Sequence, residues 1–214
     1  DAIKQIEKLK IPLTIFEVLT LIYILNASKL NVDYHLTECG ALWEKDSVNV
    51  FDFPLAQVVT NINLQHKNFL KKKTLDGIIH QDVGFLSNFT KIYIGKQTPY
   101  VLKKIKKHLK KNKSKVIYPN EWNLVKKSKT YYYQDQNLKI RINTKNIHSK
   151  GLLENLGHAI KIALDLKISK KIIKKTIPKL IFVGRFQYLK KGKIKDKLHK
   201  NEKVMIDGAH ATAD

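Results

Sequence analysis

With 214 residues, 43% of them apolar, the chain can bury a substantial core in one domain, or in one domain and part of another. A single cysteine, Cys39, excludes an internal disulfide framework and makes a reducing cytoplasm the expected compartment. The formal charge of +23 would suit an anionic partner, but only Arg141 and Arg185 are arginines. Almost all the cationic charge is lysine, as AT-rich coding produces, and the guanidinium forks that read bases are scarce, so nucleic acid is not the expected partner.

The longest apolar stretch, Ile11 to Leu25, is broken by Pro12, Thr14, Glu17 and Thr20 and is shorter than the roughly 20 residues a bilayer span needs, so no membrane span is expected. No leader is visible, and the opening on Asp1 suggests a sequence that starts partway through a longer product. Thr14 and Glu17 have capping-box spacing and predict a helix to about Asn26. Its apolar residues fall almost all round, which predicts packing on two sides.

Short strands are expected at Val32–Thr37, Ala56–Thr60, Lys91–Gly95 and Lys115–Tyr118, with helices near Leu75–Gln81 and Pro99–Leu109. Alternation of this kind predicts an α/β fold with a mainly parallel sheet flanked by helices. Tyr131 to Ile142 reads as a small β-hairpin region turning at Gln136 and Asn137. Helices are expected over Leu152–Leu166 and on to about Ile177, then a break at Pro178 and a strand at Leu180–Val183. Lys190 to Lys203 has the composition of an exposed linker, and Val204–Ile206 resumes as a strand leading into Asp207 and Gly208.

Acidic residues at the ends of parallel strands face the ligand crevice, which makes Glu38 a candidate metal or substrate contact, with His66 placed to meet it from the next strand. Asp207, Gly208, Ala209 and His210 put an acid and an imidazole on one turn, suited to ribose hydroxyls and phosphate. Arg185 after Gly184 could clamp a phosphate. No G-x-x-x-x-G-K-[ST] occurs, and there is no metal-spaced cysteine cluster, no G-x-S-x-G elbow and no residue that stands out as catalytic.

In order, these pieces resemble the folylpolyglutamate and dihydrofolate synthases of the Mur ligase superfamily. Leu13 to Thr20 is similar to the family's L-T-x-F-E-x-L-T, Glu38-Cys39-Gly40 to its E-V-G, and Asp46 to Asn49 to its D-A-T-N. Ile62 to His66 resembles I-G-L-D-H, and Thr74 to Gly84 resembles T-L-E-x-I-A-x-E-K-A-G. Gly184 to Gln187 resembles G-R-F-Q, and Asp207 to His210 resembles D-G-A-H.

The resemblance implies ATP- and magnesium-dependent conversion of a folate or pteroate carboxylate to an acyl phosphate, which the amine of L-glutamate attacks. It implies Glu38 and His66 as magnesium ligands, Asn155 as an adenine contact, Arg185 and His210 as phosphate contacts, and Asp207 as a ribose contact. It implies an incomplete Mur ligase-like central ATPase domain over residues 1–188 without the phosphate loop, a lysine-rich linker over 189–203, and the first strand of a C-terminal domain over 204–214. Departures fall at the nucleotide and metal positions. Gly40-Ala41-Leu42-Trp43-Glu44 stands where the family has G-L-G-G-R, Gln65 replaces an aspartate, Gln81 a glutamate, and Asp82 the lysine that the family carbamylates.

Three readings follow. The first is a divergent synthase fragment, inactive or impaired alone. The second is one subunit of a split ligase with a complementary fragment as partner. The third is a basic protein that holds nucleic acid or an anionic surface through lysines 103–115 and 190–200. Against the third, Leu102, Ile105 and Leu109 form an apolar stripe that makes those lysines the solvated face of a helix.

Overall fold

Thr14 fixes where the first long helix begins. In the computed structural model, which describes residues 2–8 and 10–208, the Thr14 hydroxyl accepts the Glu17 N–H (3.3 Å) and the Glu17 carboxylate accepts the Thr14 N–H (2.7 Å). This is the reciprocal closure the spacing predicts, and it starts α2 (Ile15–Ala27), which follows the short α1 (Ala2–Lys8). The expected two-sided burial of α2 is not found. Only Thr20 and Ala27 are buried, while Ile15, Phe16 and Leu19 remain more than half exposed. Its neighbours in this part of the chain are α1 and the loop carrying Ser47, whose hydroxyl accepts from Thr20 (3.1 Å), and these are too few to cover an all-round apolar helix.

The chain divides into two units. The first holds residues up to Gln57, Leu64–Thr90 and Pro99–Ser114; the second holds Val58–Asn63, Lys91–Thr98 and the chain from Lys115 onward. In the first unit, α3 (Leu75–Val83) is capped by Thr74, whose hydroxyl accepts the Gly77 N–H (3.1 Å). A side chain at Gly77 would run into the Lys72 carbonyl, so the cap needs glycine there. α4 (Pro99–Leu109) turns Val101, Ile105 and Leu109 inward at helical spacing and packs on α3. Ile79 of α3 and Ile105 of α4 have no exposed surface, and each such burial stabilises by about 1.5–3 kcal/mol.

The second unit is built on a three-stranded parallel sheet in the order β1-β2-β3, formed by β1 (Ala56–Val59), β2 (Lys91–Ile94) and β3 (Lys115–Ile117), with Lys91 opposite Lys115 and Tyr93 opposite Ile117. Ile92, Tyr93 and Ile94 are wholly buried, as a central strand covered on both faces requires. An antiparallel sheet follows, made of β4 (Trp122–Lys127), β5 (Thr130–Asp135) and β6 (Lys139–Ile142). The β5–β6 turn forms at the expected place because the Asp135 carboxylate accepts the N–H groups of Asn137 and Leu138 (2.9 Å each). Ser149 caps α5 (Lys150–Asp165), Ser169 caps α6 (Lys170–Thr176), and a 3-10 turn carries Pro178. Two short strands, β7 (Gln187–Tyr188) and β8 (Met205–Ile206), pair antiparallel across the lysine-rich segment.

Two expected strands are corrected. Val32–Thr37 and Leu180–Val183 have strand-like residues but no strand pairs with them among the described residues, and Leu36 and Val183 are 90% and 81% exposed. A strand is defined by its ladder, which a local pattern cannot supply. Among the described residues, no helix is long and apolar enough to cross a membrane.

The closest packing in the second unit is where α5 meets β4. Gly157 lies directly against the Trp122 ring, so any Cβ there would overlap it, and His158 stacks on the same indole at 5.7 Å and 12°. His158 is only 3% exposed, and its Nε2 has no hydrogen-bond partner among the described residues. Burial pushes its pKa down to about 4, so it is held neutral. Unfolding restores an ordinary histidine pKa, so stability conferred by neutral His158 is complete above about pH 6.5 and is lost as pH falls toward 4. Denaturant unfolding should show the wild type losing up to about 3 kcal/mol more than His158→Phe between pH 7 and pH 4. Equal losses in the two proteins would show that His158 is not the proton acceptor.

Candidate functional site

The segment Glu38–Asn49 is organised around one carboxylate. Asp46 Oδ2 accepts the N–H groups of Gly40 (2.8 Å) and Ala41 (3.1 Å) and the thiol of Cys39 (3.2 Å), while Oδ1 accepts the Val48 N–H (3.0 Å). Burial raises the Asp46 pKa, but these donors together outweigh it and hold the group below its ordinary value. Cys39 responds in the opposite sense. Burial of the thiol comes first, then its bond to Asp46 and the charges of Asp46 and Asp82, and together they push it up to about 12. A thiol held protonated in this way is no nucleophile.

The same loop closes onto α3. Its backbone takes φ 55° at Leu42, enters a 3-10 turn over Trp43–Lys45, and returns at Asn49, whose amide donates to the Trp43 carbonyl (3.0 Å). From that turn Glu44 accepts a hydrogen bond from Gln81 (2.5 Å), and the Trp43 N–H donates to Asp82. Asp82 is substantially buried, and desolvation pushes its pKa up to about 6 against the opposing Trp43 bond. The positions that depart from the family pattern, Trp43, Glu44, Gln81 and Asp82, therefore bond to one another. Sequence reasoning singled out these positions as losses and did not anticipate their contact. The one local signal was the Asp46-Ser47-Val48 spacing, which suits an aspartate accepting an N–H two residues on.

Glu38 and His66 are both exposed. His66 takes φ 52° at the head of a 3-10 turn, with its ring 6.4 Å from Phe69. Among the described residues, no group of three His, Cys, Asp or Glu side chains could hold a metal ion.

In the second unit the structure joins two motifs that are far apart in sequence. Arg185 Nη1 donates to the Gly208 carbonyl (2.8 Å), the Phe186 N–H donates to Asp207 (3.3 Å), and the Gly208 N–H donates to the Gly184 carbonyl (2.6 Å). Gly184 stands at φ 68°, which glycine adopts freely, and its N–H is taken by Gln187 (2.9 Å). Arg185 and Asp207 are thus neighbours, both exposed, with polar groups engaged in bracing the β7–β8 pair. Asn155 lies on the exposed face of α5. His210 lies outside the described residues.

These elements define the fold of the folylpolyglutamate synthases, matched over nearly all of this chain. The similar solved structures include E. coli FolC in complex with DHPP and ADP, at TM-score 0.76 and 22% identity, with 94% of this chain and 45% of that one covered. Folylpolyglutamate synthase from Thermotoga maritima gives TM-score 0.74 and 23% identity over 91% of this chain and 44% of the other. The apo form of L. casei FPGS gives TM-score 0.74 and 18% identity over 97% and 51%, and the similar structures also include an FPGS-AMPPCP complex and an FPGS-AMPPCP-folate complex. At these identities the likeness is one of fold, and the chain spans about half the length of the structures it matches. No protein-family model and no curated protein matches the sequence.

Asp82 gives the site a measurable signature. Its folded pKa lies above its unfolded value, so the stability its protonated form contributes is complete below about pH 4 and is lost as pH rises through 6. Asp82→Asn keeps an acceptor for the Trp43 N–H without the charge. Thermal unfolding at pH 7 should find the variant more stable, by on the order of 2 kcal/mol. A destabilised variant at that pH would mean that the carboxylate charge is satisfied in the folded protein.

Proposed function

We propose that this chain is a divergent part of a folylpolyglutamate/dihydrofolate synthase-type ligase, inactive or impaired by itself. In this reading residues 1–188 descend from the central ATPase domain, 189–203 from its linker and 204–214 from the first strand of the following domain. The family reaction joins L-glutamate to a folate or pteroate carboxylate with ATP and magnesium. Asn155, Arg185, Asp207 and His210 would descend from nucleotide contacts, and Glu38 and His66 from metal ligands. The single cysteine makes the cytoplasm the proposed compartment.

The observation that carries the reading of impairment is the closure of the Glu38–Asn49 loop onto α3 by Glu44–Gln81 and Trp43–Asp82. Family glycines that let backbone approach a nucleotide are replaced there by Leu42 and Trp43. With the loop bonded to its own helix, no step of the reaction is assigned to a residue of this chain.

A second reading, a subunit of a split ligase, draws on a separate observation. Ile15 (66% exposed), Phe16 (67%), Leu36 (90%) and Phe53 (76%) are large apolar residues of the first unit that remain mostly exposed. A complementary fragment could cover them.

Calorimetric titration separates the two. The chain alone should give no binding of ATP with magnesium tighter than about 1 mM, equivalent to roughly 4 kcal/mol. Micromolar binding would contradict the first reading. If addition of a complementary ligase half created both that affinity and glutamate incorporation into folate, the second reading would replace it.

A further inference from the structure

We infer that the groove between α3 and α4 is a binding site for a small, multiply charged phosphate anion. The groove has a volume of about 520 Å³, and Ile79 supplies its apolar floor. Among the described residues Asp76 is the one acidic residue lining it, and that carboxylate is already committed: Lys104 Nζ donates to Oδ2 (2.6 Å) and the Tyr100 hydroxyl donates to Oδ1 (2.6 Å). The remaining lysines of the lining, Lys107, Lys110 and Lys111, form no ion pair among the described residues.

These cations are not spread evenly round the helix. Lys104 and Lys107 are three residues apart on one face of α4, and Lys110 and Lys111 extend the lining in the turn that follows. Like charges at that spacing repel, and a carboxylate on the neighbouring helix would be the ordinary remedy. Here α3 offers one carboxylate to four lysines. The negative end of α4 favours cations in its last turn, but it does not account for their convergence on a concave, apolar-floored surface, where the field is focused.

Lysine ammonium groups recognise phosphate as point charges with three donors each, without the planar fork that carboxylate pairing favours. A short phosphate chain brings several charges within the reach of three lysines. His108 completes the lining, with its ring 5.4 Å from His80. Burial, His80 and Lys107 hold its pKa down, so an anion in the groove would draw a proton onto it. The lysines and His108 of the groove lie outside the Glu38–Asn49 loop and the family-like motifs, whereas Asp76 and Ile79 belong to the Thr74–Gly84 motif.

The test is titration of the whole chain with inorganic tripolyphosphate, read by calorimetry and by the His108 ring signals in NMR. Binding should raise the His108 titration midpoint by about half a pH unit or more. The triple variant Lys107→Gln, Lys110→Gln, Lys111→Gln should weaken binding at least about tenfold, whereas Lys190→Gln, Lys191→Gln, Lys193→Gln should change it less than about twofold. If the first triple variant does not fold, as judged by circular dichroism, Lys107→Gln alone should weaken binding about threefold. An unmoved His108 midpoint, or equal weakening in the two triples, would overturn the site in favour of diffuse attraction to net charge. A single-stranded oligonucleotide that binds far more tightly, and depends equally on both lysine groups, would assign the surface to nucleic acid and also overturn it.

Discussion

The carboxylate of Asp46 is the interaction on which the first unit depends. Four donors converge on it from Cys39, Gly40, Ala41 and Val48, and the loop that results can present the Trp43 N–H and Glu44 to α3. Charge-assisted bonds of this kind are about twice as strong as neutral ones, so one aspartate can fix a segment that contributes little apolar burial of its own. From there the order propagates outward. The turn bonds to Gln81 and Asp82 of α3, α3 packs on α4 through Ile79 and Ile105, and the exposed side of α4 carries the cationic groove.

The second unit rests on a different constraint, the close approach of α5 to β4. Gly157 has to be glycine because the Trp122 ring occupies the space a Cβ would need, and the neighbouring His158 stacks on that ring. Tyr93 of the central strand reaches α5 as well, donating to Asp165, which Lys161 pairs in turn at 2.8 Å. Burial comes first, and the bond to that carboxylate next, in keeping the Tyr93 hydroxyl protonated well beyond the ordinary range. The antiparallel sheet, α5 and α6 share one core around Trp122, Tyr133, Ile160 and Ile173.

How much of this was legible in the sequence follows from the range of each interaction. The helix at Thr14 could be placed because a cap acts over three residues, while α3, α4 and α5 were legible from helical periodicity, α4 to its last residue. Val32–Thr37 looked like a strand because a β-rich pattern is local, whereas pairing is not. The strand β4 went unread because it ends on Lys126 and Lys127 and its alternation rests on Trp122 and Leu124 alone. Arg185 and Asp207 stood out by type, but their juxtaposition spans more than twenty residues of chain and needed the β7–β8 pairing. The Glu44–Gln81 bond joins residues 37 apart in the sequence and had no local signature.

The fold and the loop carry different messages about function. The fold aligns the chain with folylpolyglutamate synthases, while the loop uses the divergent positions to bond to its own helix. The proposal to be tested is that the chain has kept the architecture while Glu38 and His66 no longer hold a metal ion. Paramagnetic relaxation with manganese(II), substituted for magnesium, tests it most directly through the amide signals of Glu38 and His66. The account predicts that neither signal broadens beyond the general effect on exposed acidic residues. Selective broadening of both at low manganese, relieved by magnesium, would show an assembled metal site and contradict it.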